Sequence, residues 1–450
     1  MPPDSIKSLN ILPYNMSELA DIKQQIHKLI ESYHQKAFAA KPFEAGKTPV
    51  PVSGKVFDHQ ELIAITDAAL DGWFTSGKFN TSFEKQLAKF INVKSVLTVN
   101  SGSSANLVAF SALTSEEWGE KAIRPGDEVI TVAASFPTTV NPILQYGAVP
   151  VFIDIQLPTY QLDVRRLEAA RSPKTKAVVI AHTLGNPFDA KTIKEFCDRY
   201  GLWLMEDCCD ALGATLHGKH VGTFGDVGTL SFYPAHHITM GEGGAVFTSN
   251  AKLKKLMESY RDWGRDCWCE PGMDNTCGKR FTQQLGLLPY GYDHKYTYSR
   301  QGFNLKITDM QAALGLAQLS KLPEFIRRRR ELYNRLYSGL TKFKNQLLLP
   351  EPTPDSEPSW FGFLITLLPS CKISRDAMVQ HLNQKQIATR LLFAGDLRKQ
   401  PYFKNYTFRV SGPLSETERI VEHTFWIGVT PMISDPMADY IIQVFEELLG

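Results

Sequence analysis

Between about residue 60 and residue 310, short runs rich in β-branched residues recur at intervals long enough for a helix, and this alternation constrains the fold more than any other feature of the chain. The runs are Ser95 to Val99, Glu128 to Val132, Val149 to Ile153, Ala177 to Ala181 and Leu202 to Glu206, followed by two more on either side of a Gly-rich loop that ends at Gly244. Parallel strands cannot be joined by a tight turn and need a crossover of a dozen or more residues, usually a helix. The pattern therefore predicts βαβ units in an α/β fold, with a mostly parallel sheet covered by helices on both faces. Ligands of such sheets gather beyond the C-terminal ends of the strands.

Four motifs fall at those ends. Asn100-Ser-Gly-Ser-Ser-Ala-Asn106 follows a strand and opens a helix. Gly102 lets the backbone approach an anion, and the amides and hydroxyls of Ser103 and Ser104 lie where the helix dipole favours phosphate. By itself this is also an ordinary turn and cap. Ala134-Ser-Phe-Pro137 places Phe136 past a second strand, as a stacking ring or as a core residue. In Glu206-Asp-Cys-Cys-Asp-Ala-Leu-Gly213, Asp207 ends a buried strand, which is costly unless a cation pairs with it. Last, Ser231-Phe-Tyr-Pro-Ala-His-His-Ile-Thr-Met-Gly-Glu-Gly-Gly244 reads as strand, loop and strand, with Pro234 stopping the first strand and the glycines allowing a tight return.

This last segment resembles the cofactor-lysine segment of the nucleotide-sugar aminotransferases of the DegT/DnrJ/EryC/StrS type, which use pyridoxal phosphate (PLP). Their pattern is Ser-Phe-x-Pro-x-Lys-x-(Ile/Leu)-x-x-Gly-(Glu/Asp)-Gly-Gly, and here His236 stands in the lysine position. The resemblance covers roughly residues 55 to 450. It implies fold type I of the PLP-dependent transferases (aspartate aminotransferase-like), with a large cofactor domain and a smaller α+β C-terminal domain. It further implies that Gly102, Ser103, Ser104 and Ser231 hold the cofactor phosphate, that Phe136 stacks on the ring, and that Asp207 pairs with the ring nitrogen. Gln301-Gly-Phe-Asn-Leu-Lys-Ile-Thr-Asp309 resembles the family segment whose asparagine reaches the neighbouring subunit's phosphate. Asn304 takes that place and implies a homodimer with shared sites.

Imidazole forms no stable imine but exchanges a proton near neutral pH. His236 thus keeps the base and loses the anchor, and the expected cofactor is non-covalent pyridoxamine phosphate (PMP). Asp210 replaces the family's His or Gln and is expected to orient His236, or to cap a helix. Tyr233 is expected to assist proton or electron delivery, or only to pack.

Seven cysteines occur, with Cys267, Cys269 and Cys277 crowded together. Taken with Cys209, the intervals are 57, one and seven residues. Without an export signal such crowding argues for metal over disulfides. Spacing suits zinc and an iron-sulfur cluster equally. The resemblance narrows this, because the 3-dehydrases of 3,6-dideoxyhexose biosynthesis combine the histidine with a 2Fe-2S cluster on this arrangement. Cys208 is the alternative to Cys209.

The resulting expectation is C3 dehydration of a CDP-linked 4-keto-6-deoxyhexose for lipopolysaccharide O-antigen, with electrons from an NAD(P)H-dependent flavin/iron-sulfur reductase. The alternatives are a cluster-free 3-dehydratase, a TDP-sugar enzyme, and a silent zinc-binding subunit.

At 450 residues and 43% apolar, the chain can hold a large and a small core. The expected division is a helical appendage and linker (1–54), a cofactor domain with a cysteine-bearing insert at about 250–303 (55–310), and a long helix with a small domain (311–450). Asn15 and Glu18 read as a capping box opening the appendage helix. Arg327 to Arg330 read as a solvated face, with substrate diphosphate as the weaker reading. A net charge of +2 gives no ground for a nucleic-acid partner. No export signal or membrane-length apolar run is evident, so a cytoplasmic enzyme is expected.

Overall fold

The computed structural model describes residues 16–39, 41–267, 269 and 272–450. Its centre is an eight-stranded sheet built from β1 (Ser95–Val99), β2 (Glu128–Val132), β3 (Val149–Ile153), β4 (Thr175–Ala181), β5 (Trp203–Asp207), β6 (Val227–Ser231), β7 (Gly244–Thr248) and β8 (Arg409–Val410). The spatial order is β1-β7-β6-β5-β4-β2-β3-β8. Every pair from β6 to β8 is parallel, and β7 runs antiparallel to both of its neighbours.

Burial on both faces explains the nearly unbroken apolar strands. Val129, Phe152 and Val179 point into one core, while their chain neighbours Ile130, Val151 and Val178 point into the other. The helices Gly102–Leu113 and Ala190–Tyr200 follow β1 and β4, and each is capped by a side chain that accepts from the first turn, Ser101 and Asp189 respectively.

A second, antiparallel sheet has the order Leu347–Leu348, Gly362–Leu367, Thr424–Gly428 and Thr389–Arg390. The helix Asp309–Leu340 opens with a capping box of Thr308 and Gln311 and packs its C-terminal half into the core of this sheet. The helix Met16–Ala37 has no buried residue, and Asp67 ties it to the rest through His27 (2.7 Å) and Lys23 (3.0 Å). Asn15, the expected cap of that helix, lies outside the described residues. Among the described residues no helix is long and apolar enough to cross a membrane.

The edge strand β8 returns from the C-terminal third of the chain. Arg409 holds it there with two bonds to Glu128, at 3.0 and 2.8 Å. Burial alone would raise the Glu128 carboxyl, but Arg409 and Ser172 overcome this and keep it below its ordinary value. Stability from this pair is complete above the unfolded carboxyl value and is lost as pH falls through the lower folded one. We expect Glu128→Gln to cost about 1–2 kcal/mol near neutral pH. In urea titrations the deficit should shrink at pH below about 4.

Candidate active site

Beyond the C-terminal ends of β1, β5 and β6 lies a cleft of about 570 Å³. Three strand ends crowd together at its floor, and glycine makes this possible. A Cβ on Gly102 would stand 2.5 Å from the Ser231 Cβ, and one on Gly244 would stand 2.4 Å from the Ser101 carbonyl oxygen. The floor therefore presents the N-terminus of Gly102–Leu113 to the cleft, with Ser103 lining it. Ser104 does not line it, because its amide and hydroxyl are both bonded to the Ser101 hydroxyl at 3.0 Å.

Asp207 ends β5 beside this helix terminus and is 5% exposed. It accepts from Thr139 Oγ1 (2.7 Å), Asn106 Nδ2 (2.8 Å) and the Cys209 amide (3.1 Å). The Thr229 hydroxyl donates to Asn106 Oδ1 at 2.7 Å, which fixes the amide with its NH2 toward Asp207. These bonds hold a carboxylate in place at the cleft wall without neutralising it, a suitable partner for a cation. Phe136 stands half exposed in the same cleft, edge-on to Phe393 at 6.0 Å.

His236 enters from the loop between β6 and β7. Phe232 donates its amide to the Gly243 carbonyl and accepts from Met240, both at 2.8 Å, which closes the loop at its base. His236 Nδ1 lies 3.2 Å from Asp210 Oδ1 but is not aligned for a hydrogen bond, and among the described residues it has no other partner. A small reorientation of either side chain would complete the contact. Tyr233 is half exposed and faces the same space.

The cleft thus gathers Gly102, Ser103, Phe136, Asp207, Cys209, Asp210, Ser231, Tyr233 and His236. Asn304 lies outside it, exposed, with its Oδ1 accepting from Lys306 Nζ at 2.9 Å.

One reading of the sequence needs correction. Arg327 to Arg330 do not form one solvated face. Arg329 is 1% exposed and donates to the carbonyls of Val429 (2.5 Å), Trp360 (3.0 Å) and His236 (3.3 Å). Its guanidinium ties the His236 loop to two strand ends of the small sheet. The expected four-cysteine set is divided between two cavities. Cys209 opens into the cleft beneath Gly102, whereas Cys267 and Cys269 line a separate cavity of about 510 Å³ with Trp263 and Lys306. Burial, and then the adjacent Asp207, push the Cys209 thiol well above its ordinary value. Cys267, Cys269 and Cys277 do share one loop, where all three are free thiols and the Cys269 sulfur lies 3.0 Å from the Thr276 hydroxyl. Among the described residues, no three His, Cys, Asp or Glu side chains are grouped as a metal ion requires.

Sequence reading missed other residues of the cleft. Phe361, Arg390, Leu391 and Trp426 come from the small sheet and its flanks. His182 is buried against Phe188, with ring centroids 3.9 Å apart, and its Nε2 is 3.1 Å from Glu206. Its Nδ1 accepts from the Phe188 amide, so the proton sits on Nε2.

A helix N-terminus, a half-exposed aromatic ring and a buried carboxylate at the C-terminal edge of a mostly parallel sheet are the arrangement of a fold type I PLP-dependent enzyme. Residues 56–446 match the model of the DegT/DnrJ/EryC1/StrS aminotransferase family, and the chain belongs to that family. The lipopolysaccharide biosynthesis protein RfbH of Salmonella typhimurium is 57% identical over 430 residues, covering 96% of this chain and 98% of RfbH. The dTDP-4-dehydro-2,6-dideoxy-D-glucose 3-dehydratase of Saccharopolyspora spinosa is 49% identical, covering 96% and 93%. Among solved structures, the E. coli GDP-4-keto-6-deoxy-D-mannose-3-dehydratase with bound hydrated PLP is 28% identical. It superposes with a TM-score of 0.78 over 88% of this chain and 98% of its own. The chain is accordingly an enzyme of the 3-dehydratase/aminotransferase type acting on nucleotide sugars, with a cofactor of the PLP/PMP type.

Proposed function

We propose that this chain removes the C3 hydroxyl of a nucleotide-linked 4-keto-6-deoxyhexose, using PMP held without a covalent bond. The observation that carries the reading is His236, standing where the resembling family has lysine, in the cleft that also holds Asp207. Bound PMP would supply an amine for the 4-keto group and a ring into which electrons can drain. The helix terminus at Gly102 and Ser103 holds the cofactor phosphate, with Ser231 beside it. Phe136 would stack on one face of the ring, and Asp207 would keep a proton on the ring nitrogen. His236 would take the proton at C4′, with Asp210 orienting the imidazole and Tyr233 assisting proton movement. Phe361, Leu391 and Trp426 exclude water from the sugar.

The proposed setting is synthesis of 3,6-dideoxyhexoses for O-antigen in the cytoplasm, with CDP as the nucleotide. The name of the Salmonella relative supports a lipopolysaccharide role, and the names of the other two support 3-dehydration. Asn304, exposed and outside its own cleft, is proposed to serve the cleft of a second copy in a homodimer. Comparing CDP- and TDP-linked 4-keto-6-deoxyglucose as substrates tests the reading, and amino transfer with C3 oxygen retained would refute it.

Reduction by an external reductase through a 2Fe-2S cluster is the finer part of the proposal. The three thiols of the 267–277 loop are what supports it. Anaerobically purified protein is expected to contain iron and acid-labile sulfide in equal amounts. Protein lacking both would leave a dehydratase that works without reduction, and zinc without sulfide would favour a structural metal.

A further inference from the structure

We infer that Arg390 anchors the diphosphate of the nucleotide-sugar substrate. The inference rests on the nucleotide-sugar reading above and adds to it where the nucleotide lies. Among the described residues, Arg390 is the one lysine or arginine whose side chain lines the cleft. Asp207, Asp210 and Glu242 line it too, so an incoming polyanion meets carboxylates on the large-sheet side and a cation on the small-sheet wall. Among the described residues no carboxylate pairs with Arg390. Its single bond is from Nη1 to the Thr389 carbonyl, at 2.8 Å, which steadies the side chain without neutralising it.

Its position along the wall is what the substrate requires. From the base outward, the His236 ring lies 5.4 Å from Phe361, and Phe361 lies 5.7 Å from Trp426. Arg390 pairs with Trp426 across two strands, and Trp426 Nε1 donates to the neighbouring Leu391 carbonyl at 3.0 Å. A sugar whose C3 and C4 face His236 would cross the aromatic wall and place its anomeric phosphate at the guanidinium. Arginine suits this because its planar fork meets two phosphate oxygens at once, which a lysine cannot do. The cofactor phosphate has its own place at the Gly102 helix terminus, so the cleft holds two separate anion sites.

Titration calorimetry of PMP-loaded protein with CDP and with CMP tests this, using wild type, Arg390→Ala and Arg390→Lys. Wild type should bind CDP at least about tenfold more tightly than CMP. The alanine variant should bring the two within about threefold of each other while binding PMP as wild type does, and the lysine variant should fall between them. An alanine variant that keeps the wild-type preference would overturn the assignment and leave the nucleotide-sugar reading standing. A wild-type protein that binds none of CDP, TDP and GDP would overturn both.

Discussion

His236→Lys is expected to turn a cofactor held only by contacts into one bonded to the chain. An ε-amine at this position meets PLP with the geometry the resembling family uses, whereas imidazole cannot form a stable imine. After incubation with PLP and reduction with borohydride, the variant should gain the mass of one cofactor, and wild type should gain none. C3 dehydration should fall by at least about 10²-fold, the ordinary contribution of a placed general base. The surroundings set the conditions for the imine. Asp210 Oδ1 is 3.2 Å from His236 Nδ1, so in the variant it would face an ammonium and hold it protonated. Imine formation should therefore need a higher pH in the single variant than in His236→Lys combined with Asp210→Asn. Dehydration at the wild-type rate by His236→Lys would remove His236 from its role as base.

Why His236, Asp207 and Phe136 were readable while Arg329 and Phe361 were not follows from how each reaches the cleft. The first three lie at or just beyond strand C-termini, and strand ends can be placed from the alternation of β-branched runs with helix-length segments. Strand positions agree with expectation to within two residues for β4 and one for β5. Asn106 was within a quoted motif, but its bond to Asp207 depends on the first turns of the helix after β1 passing beside the end of β5. That is a matter of strand order, which the spacing of strands does not encode. Phe361, Arg390 and Trp426 reach the cleft only because the small sheet packs across it. Arg329 was misread for a related reason. A run of four arginines on a helix cannot all face one way, since successive residues are about 100° apart. One of them turns inward, and only the chain packed against that side decides whether it finds acceptors. Here it finds three carbonyls. The cysteines show the opposite case: their spacing is legible, but spacing alone does not say which thiols meet, and among the described residues Cys209 lines one cavity and Cys267 and Cys269 another.

Asp207→Asn provides the other large effect, and it separates a cofactor role from a structural one. In the protein without cofactor, the carboxylate accepts three short bonds, from Asn106, Thr139 and the Cys209 amide. An asparagine can keep its oxygen toward Asn106 and Thr139, which share one carboxylate oxygen, while its NH2 takes the place of the other oxygen and gives up the bond from the Cys209 amide. The cost of a buried negative charge is removed at the same time, so the apoprotein should melt within a few degrees of wild type. The cofactor sees a different change. A carboxylate facing a protonated ring nitrogen becomes an amide, and losing one partner of a desolvated ion pair costs about 3–5 kcal/mol. By linkage, a ligand at 100 times its Kd raises stability by about 2.7 kcal/mol, so weakening of this size abolishes the rise in melting temperature that PMP gives wild type. Turnover at saturating substrate should fall by about 10²–10³-fold, because the ring would no longer hold its proton while charge drains into it. A purely structural carboxylate would behave in reverse: the apoprotein would lose stability, and PMP would still raise the melting temperature by its wild-type amount. Thermal melts of both proteins with and without PMP therefore distinguish the two roles without any substrate.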